Sequence, residues 1–392
     1  MGTVQSAGKG RKPEGVLKCV PSDFVVEEVD GSGKVLSVDG KYSYVEGCGD
    51  FLHVVMKKRN VDTISAVFSI CSKLGVRDAR VNYAGVKDRV AVTVQRISFY
   101  KMPAQRISGL RIKDVQLYPV GRGGKVYLGD LWGNRFTVCV RNVGLSCDEL
   151  RSYVEGVVGG MRGGFPNFFG EQRFGSVRPV TCPVGRAILA GDVSSAVFEY
   201  VCRVFAGEDE GISDVRKVAL SDKARALRGF PRSYVYERVM LEHLLAHEED
   251  YYGAFMRLPL GLRRMFVNAV QSYVFNEVLR LMVKDGVCAE GLRIPIVGYL
   301  YGKRIVEGAA DKYVDRVLRK EKIKPEMFRL RDFPELSSEG GHRIAFEKFH
   351  DFEVVSVEKD EMFLGKSKVV LRFSLPKGCY ATVFLSEFFD FV

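Results

Sequence analysis

Residues 82–95, NYAGVKDRVAVTVQ, set one carboxylate, Asp88, between two cations, Lys87 and Arg89, just ahead of an alternating apolar run. A carboxylate flanked by positive charge has its ionised form favoured and its pKa lowered. That suits an anionic nucleophile or base and suits a general acid poorly. Gly85 opens backbone angles closed to other residues, so the chain can reverse there and present Lys87, Asp88 and Arg89 at the head of a strand. The plainer reading of a Lys-Asp-Arg run is a solvated hairpin end, and the rest of the chain must decide between the two.

Several elements position this turn. Val90, Val92 and Val94 alternate with Ala91, Thr93 and Gln95, the pattern of a half-buried strand that would hold the turn rigid. Residues 51–56 read as a strand running into Lys57, Lys58 and Arg59. Asp62 is placed to N-cap a helix with Ile64, Val67, Phe68 and Cys71 on one face, ended by Gly75. Residues 18–29 read as extended, with Pro21 and Ser22 turning into a strand at Phe24, Val25 and Val26; an aromatic at Phe24 reads first as core. In residues 127–141, YLGDLWGNRFTVCVR, Gly129 and Gly133 bracket a tight turn holding the single tryptophan, and Asn134 opens a strand. Its side chain offers the donor and acceptor needed to read a uracil edge, and it would equally serve to satisfy the turn.

The composition shifts after Val158. Residues 159–175, GGMRGGFPNFFGEQRFG, are too rich in glycine for a helix and too aromatic for a disordered linker. They read as an ordered loop at a domain junction, where Phe169 and Arg173 join the interleaved aromatics and charge that grip single-stranded RNA. Residues 192–284 have a helical pattern, with Asp192 as a cap and a long helix from about Leu262 to Val283. Residues 293–324 are strongly basic (Arg304, Lys312, Arg316, Arg319, Lys320, Lys322, Lys324), which is either a solvated face or a phosphate-contacting one. Strands return at 350–357, 368–374 and 380–386. The simplest architecture is an α+β domain built from both termini, with a helical module inserted.

At 392 residues the chain suggests two or three domains, and 26 Phe, 17 Tyr and a 46% hydrophobic content suffice for substantial cores. A net charge of +11 points to a polyanionic partner, nucleic acid before an anionic membrane. No apolar run is long enough to span a bilayer and the N-terminus has no signal-peptide core, so a soluble, intracellular protein is expected. Nine cysteines without a CxxC pair read as reduced thiols rather than a disulfide framework or zinc site. His243 and His247 stand four apart, but Leu244 occupies the place where an HExxH helix needs its glutamate. No phosphate-binding loop of the Walker type is present, and the absence of clustered carboxylate or histidine ligands disfavours a metal-dependent nuclease.

Together these segments resemble the TruD family of pseudouridine synthases, most closely its archaeal and eukaryotic branch. The resemblance rests on AGVKDRVAVTVQ at 84–95, GDLWGNRF at 129–136, PNFFGEQRFG at 166–175, QSYVFN at 271–276 and LPKGCYATV at 375–383, in that order. The early PSDFVVEE at 21–28 is also family-like. Two departures stand out: Phe168 where the family often has tyrosine, and Cys182 where many relatives have histidine.

The resemblance implies an enzyme that converts uridine to pseudouridine within RNA, without cofactor or metal, by breaking the N1–C1′ bond and rejoining the uracil through C5. It places the nucleophile at Asp88, attacking C1′ or C6. Lys87 would hold the Asp88 anion and a nearby phosphate, Asn134 would bond the target base or ribose, Phe24 would pack against the substrate, and Tyr380 would stack on the flipped uracil. Arg89, Arg173 and Phe169 would contact RNA. The implied fold is a pseudouridine synthase domain with a mixed, largely antiparallel sheet, from residues 1–158 and 345–392, and an inserted, mostly helical module at 159–344. The expected substrate is transfer RNA, commonly at position 13 in this family, with other RNAs open. A monomer is expected, resident in nucleus or cytoplasm if the source is eukaryotic. The rival class is an RNA-binding or chaperone protein that keeps the fold and lacks the chemistry. Asp88, Asn134 and Tyr380 favour the enzyme, because a pure binder needs the basic surface and not the carboxylate.

Overall fold

In the computed structural model, which describes residues 11–161, 163–175, 178–303 and 308–392, strands from both ends of the chain build one sheet. Its members are β1 (Phe24–Val29), β2 (Phe51–Arg59), β3 (Val81–Tyr83), β4 (Val92–Tyr100), β5 (Val115–Gly123), β6 (Gly133–Val143), β7 (His350–Lys359) and β8 (Ser367–Pro376). They run in the order β7-β8-β6-β1-β4-β2-β5, with β3 on β4. The β1–β4 pair is parallel, and the other pairs of this sheet are antiparallel. This is the mixed, largely antiparallel sheet anticipated above. It belongs to a unit comprising Met1–Phe165 and Glu347–Val392, while Pro166–Phe346 forms a second unit.

Helix α1 (Thr63–Leu74) covers one face of the sheet. Asp62 caps it by accepting from the Ser65 amide at 2.8 Å, and Gly75 ends it in the left-handed region at φ 63°. Ala66, Val67, Ile70, Cys71 and Leu74 pack on Leu52, Val54, Met56, Ile97 and Phe99. The buried stripe is therefore rotated from the expected one: Ile64 and Phe68 are exposed at 62% and 71%. Two stripes share Val67 and Cys71, and the small Ala66 lets the second approach the sheet more closely.

The strand after Asp88 is also more buried than its alternation implies. Ala91, Val92, Thr93, Val94 and Gln95 are all buried. The reason is that Leu36 and the flanking Val38 and Tyr42, from the glycine-rich interval after β1, pack with Val55 and Val94 over the second face. At the C-terminus, the third strand expected at 380–386 is instead a one-turn helix, Ala381–Leu385, with Tyr380 as its N-cap. Phe384 plugs into an aromatic cluster with Phe165, Phe349, Phe373 and Phe388, and that packing overrides the strand preference of the β-branched and aromatic residues around it.

The second unit is mainly helical. Its axis is a 25-residue helix, Leu260–Lys284, that buries Phe266, Val267, Val270, Val274, Phe275 and Val278. Helix Thr181–Leu189 crosses it so closely that a Cβ on Gly185 would lie 2.1 Å from the Phe266 carbonyl oxygen. Cys182, in the same short helix, is buried. A two-stranded ladder joins Arg293–Ile296 to Gly341–Ile344. Among the described residues no helix is long and apolar enough to cross a membrane. All nine cysteines are unpaired. The N-terminal tail (residues 1–10) and Arg304 of the basic run lie outside the described residues.

Candidate active site

Residues 84–91 connect β3 to β4 without regular structure, and buried side chains bond to their backbone. The Thr63 hydroxyl accepts from the Lys87 amide at 2.9 Å and donates to Gln95 Oε1 at 2.8 Å. Gln95 Nε2 donates in turn to the Gly85 carbonyl at 2.9 Å. Lys58 Nζ donates to the Asp88 carbonyl at 2.9 Å, to the Lys87 carbonyl at 3.4 Å and to the Val61 carbonyl at 2.7 Å. Gly85 itself is outside the left-handed region, and a Cβ there would meet nothing within 4 Å. The expected dependence of the turn on glycine freedom is thus replaced by bonds to Thr63, Gln95 and Lys58.

So held, the turn leaves the Asp88 carboxylate one-third exposed, with Oδ2 accepting from Lys18 Nζ at 2.8 Å. Lys18 adopts φ 60°, and its ammonium also lies 4.3 Å from the centroid of the Phe24 ring. Phe24 is 2% exposed and meets Phe136 edge-on at 6.1 Å. It is a core aromatic whose remaining face is covered by Lys18.

Lys87, the sequence neighbour of Asp88, turns the other way. Its ammonium is buried, 3.3 Å from Glu28 Oε2, and donates to Asn134 Oδ1. Burial lowers its pKa and Glu28 opposes the shift. Lys18 is thus ion-paired to Asp88, while Lys87 bonds Asn134 and also feels the charge of Asp88. Backbone register supports the same corner: Asn134 lies opposite Glu28 on β1 and opposite Leu375 on β8. Gly133 makes this possible, because a Cβ there would sit 2.0 Å from the Leu375 carbonyl oxygen. Tyr380 comes four residues after the end of β8, half-buried at the cap of its helix, and Arg89 is exposed beside Asp88.

Arg173 and Phe169 lie in the second unit, each engaged there. Asn276 receives the Phe169 amide at 2.8 Å and donates to its carbonyl at 2.9 Å. The Phe169 ring meets Phe275 edge-on at 5.3 Å, with the Arg343 and Arg173 guanidinium carbons 4.2 Å and 5.5 Å from its centroid. Arg173 Nε also donates to Ser272 Oγ at 3.1 Å. In the basic run, helix Asp311–Glu321 buries Tyr313, Val314, Val317 and Leu318 and exposes Lys312, Arg316, Arg319 and Lys320.

Five residues of the first unit's site were not singled out by sequence: Lys18, Glu28, Lys58, Thr63 and Gln95. Lys18 and Glu28 flank the Asp-Phe pair at 23–24 closely enough to have been suspected. Nothing in the run Lys57, Lys58, Arg59 distinguishes the central cation except strand alternation, which points it inward between two outward neighbours.

The chain is similar to known proteins along nearly its whole length. The chain matches the family model described as tRNA pseudouridine synthase D (TruD) over residues 7–292 and 286–388. It is 33% identical to a Methanosarcina acetivorans protein named "Probable tRNA pseudouridine synthase D", over 95% of this chain and 92% of that one. A protein of the same name from Methanopyrus kandleri is 35% identical over 87% of this chain and 86% of its own. The crystal structure of a Methanosarcina mazei protein described as "Putative tRNA pseudouridine synthase D (TruD)" superposes with a TM-score of 0.77 at 31% identity, covering 98% of this chain and 95% of that one.

Proposed function

The chain belongs to the TruD family of tRNA pseudouridine synthases, and we propose that it isomerises a uridine of transfer RNA to pseudouridine with Asp88 as the nucleophile. The observation that carries the assignment of Asp88 is its partly exposed carboxylate, ion-paired to Lys18 on a turn whose backbone is fixed from below. In this reading an Asp88 oxygen attacks C1′ and the N1–C1′ bonding pair leaves with the uracil. The uracil turns, C5 attacks C1′, and the carboxylate departs with its own pair. The C5 proton is lost and N1 takes one up. Attack at C6 is the other route open to the same carboxylate.

Lys18 aims the Asp88 carboxylate through their ion pair. With Oδ1 engaged by Lys87, Asn134 would serve a base edge through its Nδ2 amide. Tyr380 would stack on the extracted base, and Phe24 would act through Lys18 unless that side chain moves on binding. Arg89 would meet the RNA backbone. Arg173 and Phe169 would contribute through the loop surface they stabilise. The unit Pro166–Phe346 would then be the inserted module, and the two-part unit the catalytic domain.

The test is incubation of wild type and Asp88→Asn with unmodified total tRNA, followed by carbodiimide labelling and primer extension. New pseudouridine with wild type and none with the variant is expected, and the mapped position names the substrate uridine. Absence with both proteins despite tRNA binding would favour another RNA substrate or the binding-protein reading. Activity surviving in Asp88→Asn would remove Asp88 as nucleophile.

A further inference from the structure

A lysine in the core without a carboxylate bonded to its ammonium is costly to bury, so its presence calls for a reason. Lys58 is 1% exposed, and its three hydrogen bonds all end on backbone carbonyls, those of Val61, Lys87 and Asp88. An ammonium has three protons, one for each. Two of the three carbonyls belong to the segment carrying the reactive carboxylate, and the third precedes the Asp62 cap of α1, which in turn supplies Thr63 to the Lys87 amide. The ammonium thus sits as a fixed cation behind the turn, tying β2, the start of α1 and the Asp88 segment to one point.

We propose that Lys58 is a positioning residue for the isomerisation: as a protonated tripod it fixes the backbone of Asp88 and lends positive charge behind its carboxylate. This inference rests on the function assigned above. Neutralising the ammonium leaves two protons for three carbonyls and removes that charge. The groups facing it are Asp62 and Asp88, which favour the proton, and Lys87, which disfavours it. Lys57, Arg59 and Asp114 line the same open cavity of about 570 Å³ that reaches Lys58. Burial outweighs the acidic neighbours and pushes the Lys58 pKa down to about 8.

The experiment is single-turnover pseudouridine formation at saturating enzyme for wild type, Lys58→Met and Lys58→Ala from pH 6.5 to 9.5, with tRNA affinity measured in parallel. These pH values bracket the ordinary working range and the titration of Lys58. Wild type is expected to lose about tenfold in rate as pH rises through the Lys58 titration, because the lost charge-assisted bond is of that size. Lys58→Met is expected to be slower by about tenfold or more at neutral pH, with affinity within about twofold and no such alkaline fall. Lys58→Ala is expected to regain rate on addition of ethylamine, which can enter by the adjoining cavity, whereas ethanol restores nothing. A Lys58→Met rate within about twofold of wild type, or an alkaline fall that persists in that variant, would overturn the proposal. If the variants fail to fold, the wild-type profile decides by itself: a rate flat to pH 9.5 overturns it. Inactivity of wild type on tRNA would instead count against the assigned function, and Asp88→Asn measured alongside separates that failure from this one.

Discussion

At residues 84–91 the surrounding side chains bond to the loop's backbone and leave its carboxylate partly exposed; at residues 166–175 the loop's own Asn167, Phe169 and Arg173 are drawn into packing and hydrogen bonds. Thr63, Gln95 and Lys58 all reach main-chain atoms of the first loop, and the Asp88 carboxylate pairs with Lys18. In the second loop Asn167 is 3% exposed, with its amide donating to the Ile344 carbonyl at 3.1 Å, while Phe169 and Arg173 are drawn into packing with Asn276, Phe275 and Ser272. Both loops look alike in sequence, with glycine, charge and aromatic or apolar residues close together. The difference teaches that a motif can exist to present a side chain or to spend one, and that the partners decide which.

Breaking the presentation at the first loop should have the larger effect on chemistry. Lys18→Met removes the ammonium from Asp88 and from the Phe24 face while keeping much of the stem's volume. A charge-assisted bond to an exposed nucleophile also sets its direction, so the single-turnover rate should fall about a hundredfold, with tRNA affinity changed by less than about threefold. Rapid-quench measurement of pseudouridine formation checks this. An unchanged rate would mean that the Lys18 pair is a surface ion pair of the usual small value and that the two loops differ less than their geometry suggests.

At the second loop the expected effect is on stability. Asn276→Ala leaves the Phe169 amide and carbonyl without their partners, a loss of about 2 kcal/mol. For a unit of this size that lowers the melting temperature by about 5 °C. Calorimetry should show the drop, and the rate per folded molecule, measured well below the transition, should stay within about twofold of wild type. A large fall in rate with no change in melting would mean that the second loop presents side chains too, and the contrast would collapse.

The two loops also show where a sequence is legible. Local signals translated directly into structure: Asp62 and Gly75 bound α1, Asp192 accepts from the Ser195 amide, and the alternation after β3 became a strand. The family motifs singled out Asp88 and Asn134 as candidates, and the mixed sheet implied by the resemblance is present. What stayed hidden is non-local. Lys18 and Asp88 are 70 residues apart, Lys58 and Asp88 30 apart, and Phe169 and Asn276 107 apart. No local periodicity reports such pairs, since strand register and helix rotation bring them together. The rotation of α1 about its axis failed for the same reason, because choosing between stripes needs the sheet it packs on. Residues 380–386 failed because β-branched and aromatic residues are favoured wherever a half-buried surface must be filled, by strand or by helix.

The smallest expected effect concerns Gly85, the residue whose freedom the sequence places at the heart of the first loop. Its backbone lies outside the region reserved for glycine, and an added Cβ would enter open space. The loop's course is set by what its amides and carbonyls bond to, and the Gly85 carbonyl keeps its Gln95 partner whatever the side chain. Gly85→Ala should therefore keep the rate within about twofold and leave melting unchanged or slightly raised, since alanine restricts the unfolded chain more than glycine does. Gln95→Leu, which removes the bond but retains bulk, should cost more in both measurements. If Gly85→Ala proved the more damaging of the two, the loop would depend on an approach by substrate that the free protein does not display, and its rigidity would come from glycine after all.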